Sequence, residues 1–193
     1  MKYLLFSIII LLILNIYLIY CYFKDSPLSF PRINFHKHIC PKGHYCSLNN
    51  IDEPMKCPAG TYCPREGMNY WIKCCKGFYC PLEGQSNSVN CPKGHYCPDF
   101  GMTAPLQCKF GHYCPTENMT EALICPLGRY CPHGSIEPKI CPVGSYCPYE
   151  KLINPVICPY ESYCPREGMT IHLPCPKGFE CRVGTGIIYS LEL

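Results

Sequence analysis

Apolar residues form one long run in this chain, from Tyr3 to Phe23, broken mainly by Asn15. Beyond Lys24 neither the 3.6-residue rhythm of a helix nor sustained alternation of a strand continues. A longer period replaces them. Cysteine pairs fall at 40/46, 57/63, 74/80, 91/97, 108/114, 125/131, 141/147, 158/164 and 175/181, which makes nine units with five residues inside each pair. The spacers between units have ten residues, except the nine from Pro132 to Ile140. Such self-similarity is the signature of a repeat architecture, in which each unit packs mainly on its neighbours.

Each letter of the phrase, as in "CPKGHYCP" at 91 to 98, has a local physical reason. Cys-Pro-x-Gly fits a type I turn, with proline second and glycine fourth. Proline after the second cysteine stops a helix and removes a backbone donor, so short extended pieces and turns are predicted. Tyrosines 45, 62, 79, 96, 113, 130, 146 and 163 recur once per unit, and their rings are predicted to pack on the neighbouring cystine while the hydroxyl stays wet. The other reading is a row of exposed tyrosines forming a binding stripe. Two units depart from the phrase late in the chain. Glu161 takes the glycine place, which argues that glycine is a favoured turn residue there rather than one required by positive φ; Glu180 takes the tyrosine place, as a polar terminal cap would.

The predicted fold is therefore a small disulfide-rich repeat: an elongated array of short β-hairpins and turns, with little helix beyond the N-terminal hydrophobic segment. The domain reading is a signal peptide or signal anchor over 1–23, a linker over 24–39, the repeats over 40–181 and a C-terminal tail over 182–193. The disulfide cysteines are Cys40, Cys46, Cys57, Cys63, Cys74, Cys80, Cys91, Cys97, Cys108, Cys114, Cys125, Cys131, Cys141, Cys147, Cys158, Cys164, Cys175 and Cys181. Loop-closure entropy does not choose their connectivity, since it favours a bridge across about eighteen residues over one across about seven by less than about 1 kcal/mol. Two patterns stay open. Even-numbered spacers carry Gly67, Gly101, Gly134 and Gly168 near their start, whereas odd-numbered ones carry Asn50, Gly84, Asn118 and Lys151. This alternation points to modules of 34 residues (17 + 17) bridged first to third and second to fourth; the alternative is that every unit closes on itself.

Composition places this array in an oxidising compartment. With 20 cysteines and 21 prolines among 193 residues, crosslinks stand in for a large apolar core. Lys2 precedes the apolar run, and Lys24 and Asp25 cancel after it, so the repeats are expected on the translocated side, secreted or at the cell surface. The run is long enough to span a bilayer if uncleaved, and only then is a membrane engaged. The tail "GTGIIYSLEL" is too short and too polar for a lipid-anchor signal. A net charge of +3, mixed through the spacers, lacks the clustered basic face that nucleic acid requires. Eighteen of the 20 cysteines fall in register, leaving Cys21 and Cys75; cleavage beyond Cys21 leaves Cys75 as a free or intermolecular thiol and makes a disulfide-linked dimer a candidate state.

"CPAGTYCP", "CPKGHYCP", "CPLGRYCP" and "CPVGSYCP" resemble the tandem cysteine-rich repeats of the ephrin-receptor-like family, within the broader growth-factor-receptor cysteine-rich and EGF-like group. The likeness covers 40 to 181. It implies an extracellular, disulfide-stapled array of the kind found in surface and secreted proteins of protists, and it contributes no catalytic residue. Spacing shorter than in many receptor modules keeps receptor signalling out of what the resemblance implies.

Chemistry by side chain is sparse. His44, His95 and His112 share one repeat position beside cysteines, but structural zinc sites space their cysteines more closely and exported thiols are oxidised, so no metal is expected. The cysteines are all alike, with no distinct Cys-His-Asn set, so neither catalysis nor a cofactor is expected. Asn118-Met119-Thr120 is a candidate N-glycosylation sequon. The function expected is non-enzymatic protein–protein interaction or adhesion with an extracellular protein or glycan; the alternative is a disulfide-crosslinked component of a wall or matrix.

Overall fold

The computed structural model describes residues 39–47 and 50–190. The chain divides into two units, Met1–His38 and Ile39–Leu193. The first, with the apolar run, Cys21 and most of the linker, lies outside the described residues.

Nine two-stranded antiparallel hairpins follow one another in chain order, and no helix occurs among the described residues. The fourth shows the plan. His95–Tyr96 pairs with Leu106–Gln107, His95 facing Gln107 and Tyr96 facing Leu106. Strands this short arise because a cystine closes one end and prolines such as Pro98 and Pro105 deny the ladder further donors. The first hairpin is longer: His44–Ser47 pairs with Asn50–Lys56, with a register shift between Tyr45 and Ser47.

Every pair closes within its own unit, with Cα atoms from 5.8 Å apart at Cys175–Cys181 to 6.3 Å at Cys57–Cys63, inside the span a disulfide bridges without backbone movement. The four-cysteine module does not form. Its supposed signature has another cause: the αL residue of the spacer is Gly67, Gly84, Gly101, Asn118, Gly134, Lys151, Gly168 and Gly184 in turn, all at positive φ. Glycine prevails there because it tolerates that backbone, Asn118 tolerates it too, and Lys151 adopts it with strain. Cys75 is itself disulfide-bonded, so it supplies no free thiol for a bridge between copies.

The turn is also shifted from the predicted one. The His95 N–H donates to Pro92 O at 3.1 Å, so the turn runs Pro-Lys-Gly-His, and Gly94 occupies its third position at φ 76°. A type II turn has positive φ at that place, which is why glycine recurs. The C-terminal end differs as well: residues 182 to 190 form the loop and second strand of the ninth hairpin, Phe179–Glu180 with Tyr189–Ser190, rather than a tail.

Successive units are joined by a recurring set of backbone hydrogen bonds. Between the fourth and fifth, Gly94 N–H donates to Cys114 O at 2.9 Å, Cys97 N–H to Met119 O at 2.8 Å, Asn118 N–H to Cys91 O at 2.8 Å, and Cys108 N–H to Gly94 O at 2.8 Å. The same four bonds recur at all eight joints, down to Glu161 N–H on Cys181 O and Cys175 N–H on Glu161 O. Buried cystines line the interior, and the tyrosine of one unit lies on the bridge of the next. Tyr96, with Met119 and Ala122, packs on Cys108 and Cys114; Tyr146, with Met169 and Leu173, packs on Cys158 and Cys164. A large apolar core is replaced by a string of small ones.

Candidate interaction surface

The repeat buries its chemistry and exposes two positions. The cysteines, the turn glycines of the first seven units and the ring faces are turned inward, while the residue before each first cysteine and the residue before each turn glycine stand in solvent in every unit. Those two positions vary because the four recurring joint bonds are made by backbone, Asn90 adding a side-chain bond to Glu117 Oε2 at 3.3 Å, and they vary in blocks. Before the turn glycine the first four units carry Lys42, Ala59, Lys76 and Lys93; the next four carry Phe110, Leu127, Val143 and Tyr160. Before the first cysteine the sequence runs Ile39, Lys56, Lys73, Asn90 and Gln107, then Ile124, Ile140 and Ile157.

The apolar block stays largely wet. Phe110 is 58% exposed, Leu127 53%, Val143 49% and Tyr160 63%. At 25 cal/mol per Å², leaving several such side chains in water forgoes about 1.5 kcal/mol or more for each, so a covered state has a driving force that these turns alone do not satisfy. Side-chain contacts at the tips include the Phe110 ring, 4.8 Å from that of His133, and in the basic block Lys76 Nζ, 5.7 Å over the Phe100 ring.

The residues singled out in the sequence fall elsewhere. His44, His95 and His112 are half-buried, each with Nδ1 within 3.2 Å of a carbonyl two residues earlier, at Lys42, Lys93 and Phe110; they serve their own turns. Their cysteine neighbours are committed to bridges. Asn118 is exposed at φ 60°, where it supplies the αL backbone of its spacer, and Thr120 of the same sequon is exposed as well. The eight repeat tyrosines are half-buried rather than displayed as a stripe, and Tyr45, Tyr62, Tyr96 and Tyr146 pack on cystines.

Sequence reasoning missed the methionines and the two variable positions. "PREGM" at 64 to 68 and 165 to 169 ends in a glycine at positive φ and a methionine whose carbonyl receives the N–H of Cys46 or Cys147 and whose side chain covers a cystine. The signal was there: Gly-Met or Asn-Met fills the fourth and fifth places of four spacers, starting at 67, 101, 118 and 168. No protein-family model matches the chain, and no curated protein matches it.

Proposed function

We propose that the chain is a non-enzymatic interaction or adhesion protein of the secreted or cell-surface class, an array resembling the ephrin-receptor-like cysteine-rich repeats. The observation that carries the reading is the exposed apolar block at Phe110, Leu127, Val143 and Tyr160, set at a repeat position where the earlier units place lysine or alanine. A scaffold whose recurring joint hydrogen bonds are made by backbone is free to vary those tips for recognition. The disulfide density supports an oxidising environment for the array. The wall-component reading is less favoured, because a crosslinked matrix needs thiols left over for bonds between chains and none is free among the described residues.

The test is a binding measurement on cells with the full-length oxidised chain. Replacing Phe110, Leu127, Val143 and Tyr160 together by lysine is expected to abolish surface binding while peptide mapping shows the same nine bridges; replacing Lys42, Lys76 and Lys93 by alanine is expected to leave most of it. Undiminished binding by the first variant rejects the apolar block as the contact surface.

A further inference from the structure

The four backbone hydrogen bonds of a joint would accept any further unit of the same turn and cystine. At each joint the turn glycine and second cysteine of one unit donate their N–H groups to the next, and the first cysteine accepts. In the ninth unit the same groups, Gly178 N–H, Cys181 N–H and Cys175 O, have no such partner among the described residues. Gly178 is exposed and Cys175 half-exposed, unlike their counterparts inside the array. A concave surface of about 620 Å³ lies over them, lined by Tyr160, Glu161, Lys177, Phe179 and Glu180. Backbone groups without these joint partners among the described residues are a template for more of the same chain, and a head-to-tail contact of this sort need not close.

What covers a turn glycine identifies what is missing. In the first seven units a Cβ on that glycine would run into the backbone carbonyl of the αL residue two spacers on: Asn118 O at 2.6 Å for Gly77, Gly134 O at 3.1 Å for Gly94, Gly168 O at 2.6 Å for Gly128. The eighth unit is the first whose cover would have to come from beyond the ninth. There, and nowhere earlier, the glycine is replaced: Glu161 keeps the left-handed turn at φ 58° and is exposed. At Gly178 nothing lies within 4 Å of a built Cβ.

We propose that the eighth and ninth units form an end cap, in which Glu161 bars a further unit, whether of this chain or of a second copy, from stacking. The Cβ of Glu161 occupies the place an incoming αL carbonyl needs, and its carboxylate sets negative charge against that carbonyl's oxygen. A glycine would hold the same turn without backbone strain, so the glutamate is retained against local stability, as stop devices at sheet edges are. Glu180 adds to it. It replaces the ring that would sit on a following cystine, and it is held at the end by Arg182, with Nε 3.1 Å from Oε1.

The experiment extends the full-length chain by one unit: a second copy of residues 91 to 107 inserted directly after Ser190, where the ninth spacer, short like the one from Pro132 to Ile140, puts the new cysteine in register. Two chains are compared with and without the insertion, one retaining Glu161 and one carrying Glu161→Gly. Hydrogen exchange at the Gly178 amide is read by mass spectrometry, with disulfide mapping to show that units one to nine are native. The expected result is that the insertion slows Gly178 exchange by about tenfold or more in Glu161→Gly and leaves it unchanged with Glu161 in place. Relief of strain by itself would appear in the chain without the insertion, so the difference isolates stacking. Equal slowing in both chains, or slowing in neither, overturns the cap.

Discussion

The carbonyl oxygen of Gly168 lies 2.6 Å from the point where a Cβ on Gly128 would stand, although the two residues are two spacers apart in sequence. Glycine at this repeat position thus meets two demands, a left-handed backbone at φ 73° and the absence of a side chain. Gly128→Ala incurs both penalties, about 1–2 kcal/mol of backbone strain and about 1–3 kcal/mol of crowding. Gly178→Ala, at φ 83° with nothing within 4 Å, incurs only the first. Denaturant titration of the oxidised chain is expected to show the interior variant lower in midpoint than the terminal one; equal midpoints refute the stacking contact.

Glu161 misleads for this reason when read from the sequence. Its presence in a glycine column argues for a tolerant turn, but the eighth unit is one whose glycine has no cover, so it does not represent the interior. The hairpin array, the cystine positions and the tyrosine–cystine packing were legible because each depends on neighbours in sequence. The turn type, the bridge pattern and the role of Met119 or Met169 were not: the turn hydrogen bond runs from His95 N–H to Pro92 O, one residue beyond the Cys-Pro-x-Gly frame, loop entropy does not choose between bridges, and each methionine carbonyl is placed by an N–H one unit away, as Cys97 on Met119. A period shows that units repeat; it does not show which atoms of successive units touch.

Tyr96 and Glu180 hold the same place in their units and face opposite situations. The Tyr96 ring packs on Cys108 and Cys114, with Met119 beside it. Tyr96→Glu sets a carboxylate against that cystine, and oxidative folding is expected to yield scrambled bridges around the fifth unit. Glu180→Tyr is expected to fold with the native pattern, as no described bridge follows. Peptide mapping of both variants decides it, and native bridges in Tyr96→Glu would remove the tyrosines from the local cores.

Lys151 and Asn118 hold left-handed backbone at φ 61° and 60°. Lys151→Gly is expected to raise stability by up to about 1 kcal/mol, the strain released less the entropy glycine adds to the unfolded chain. Asn118→Gly is expected to leave stability within about 0.5 kcal/mol, because asparagine already tolerates this conformation. It also deletes the sequon. A glycosidase-sensitive mass shift present in the native chain and lost in Asn118→Gly would establish the sugar, and a large loss of stability in that variant would contradict the backbone role assigned to Asn118.

Reduction tests what holds each unit. A bridge such as Cys91–Cys97, with separation 6, closes a loop worth about 2.4 kcal/mol by the chain-entropy relation, while the hairpin it braces has two residues per strand. Isolated two-stranded hairpins are marginal in water, and the joints are hydrogen bonds worth about 1 kcal/mol each whose geometry presupposes the closed turns. Loss of one bridge therefore loosens the two joints beside it. Cys91→Ser with Cys97→Ser is expected to raise hydrogen exchange at Gly77 and Gly94, which donate to Cys97 O and across to Cys114 O, while Gly144, three units on, keeps its protection. Exchange rising equally at Gly144 would mean that the array opens as one cooperative body rather than joint by joint.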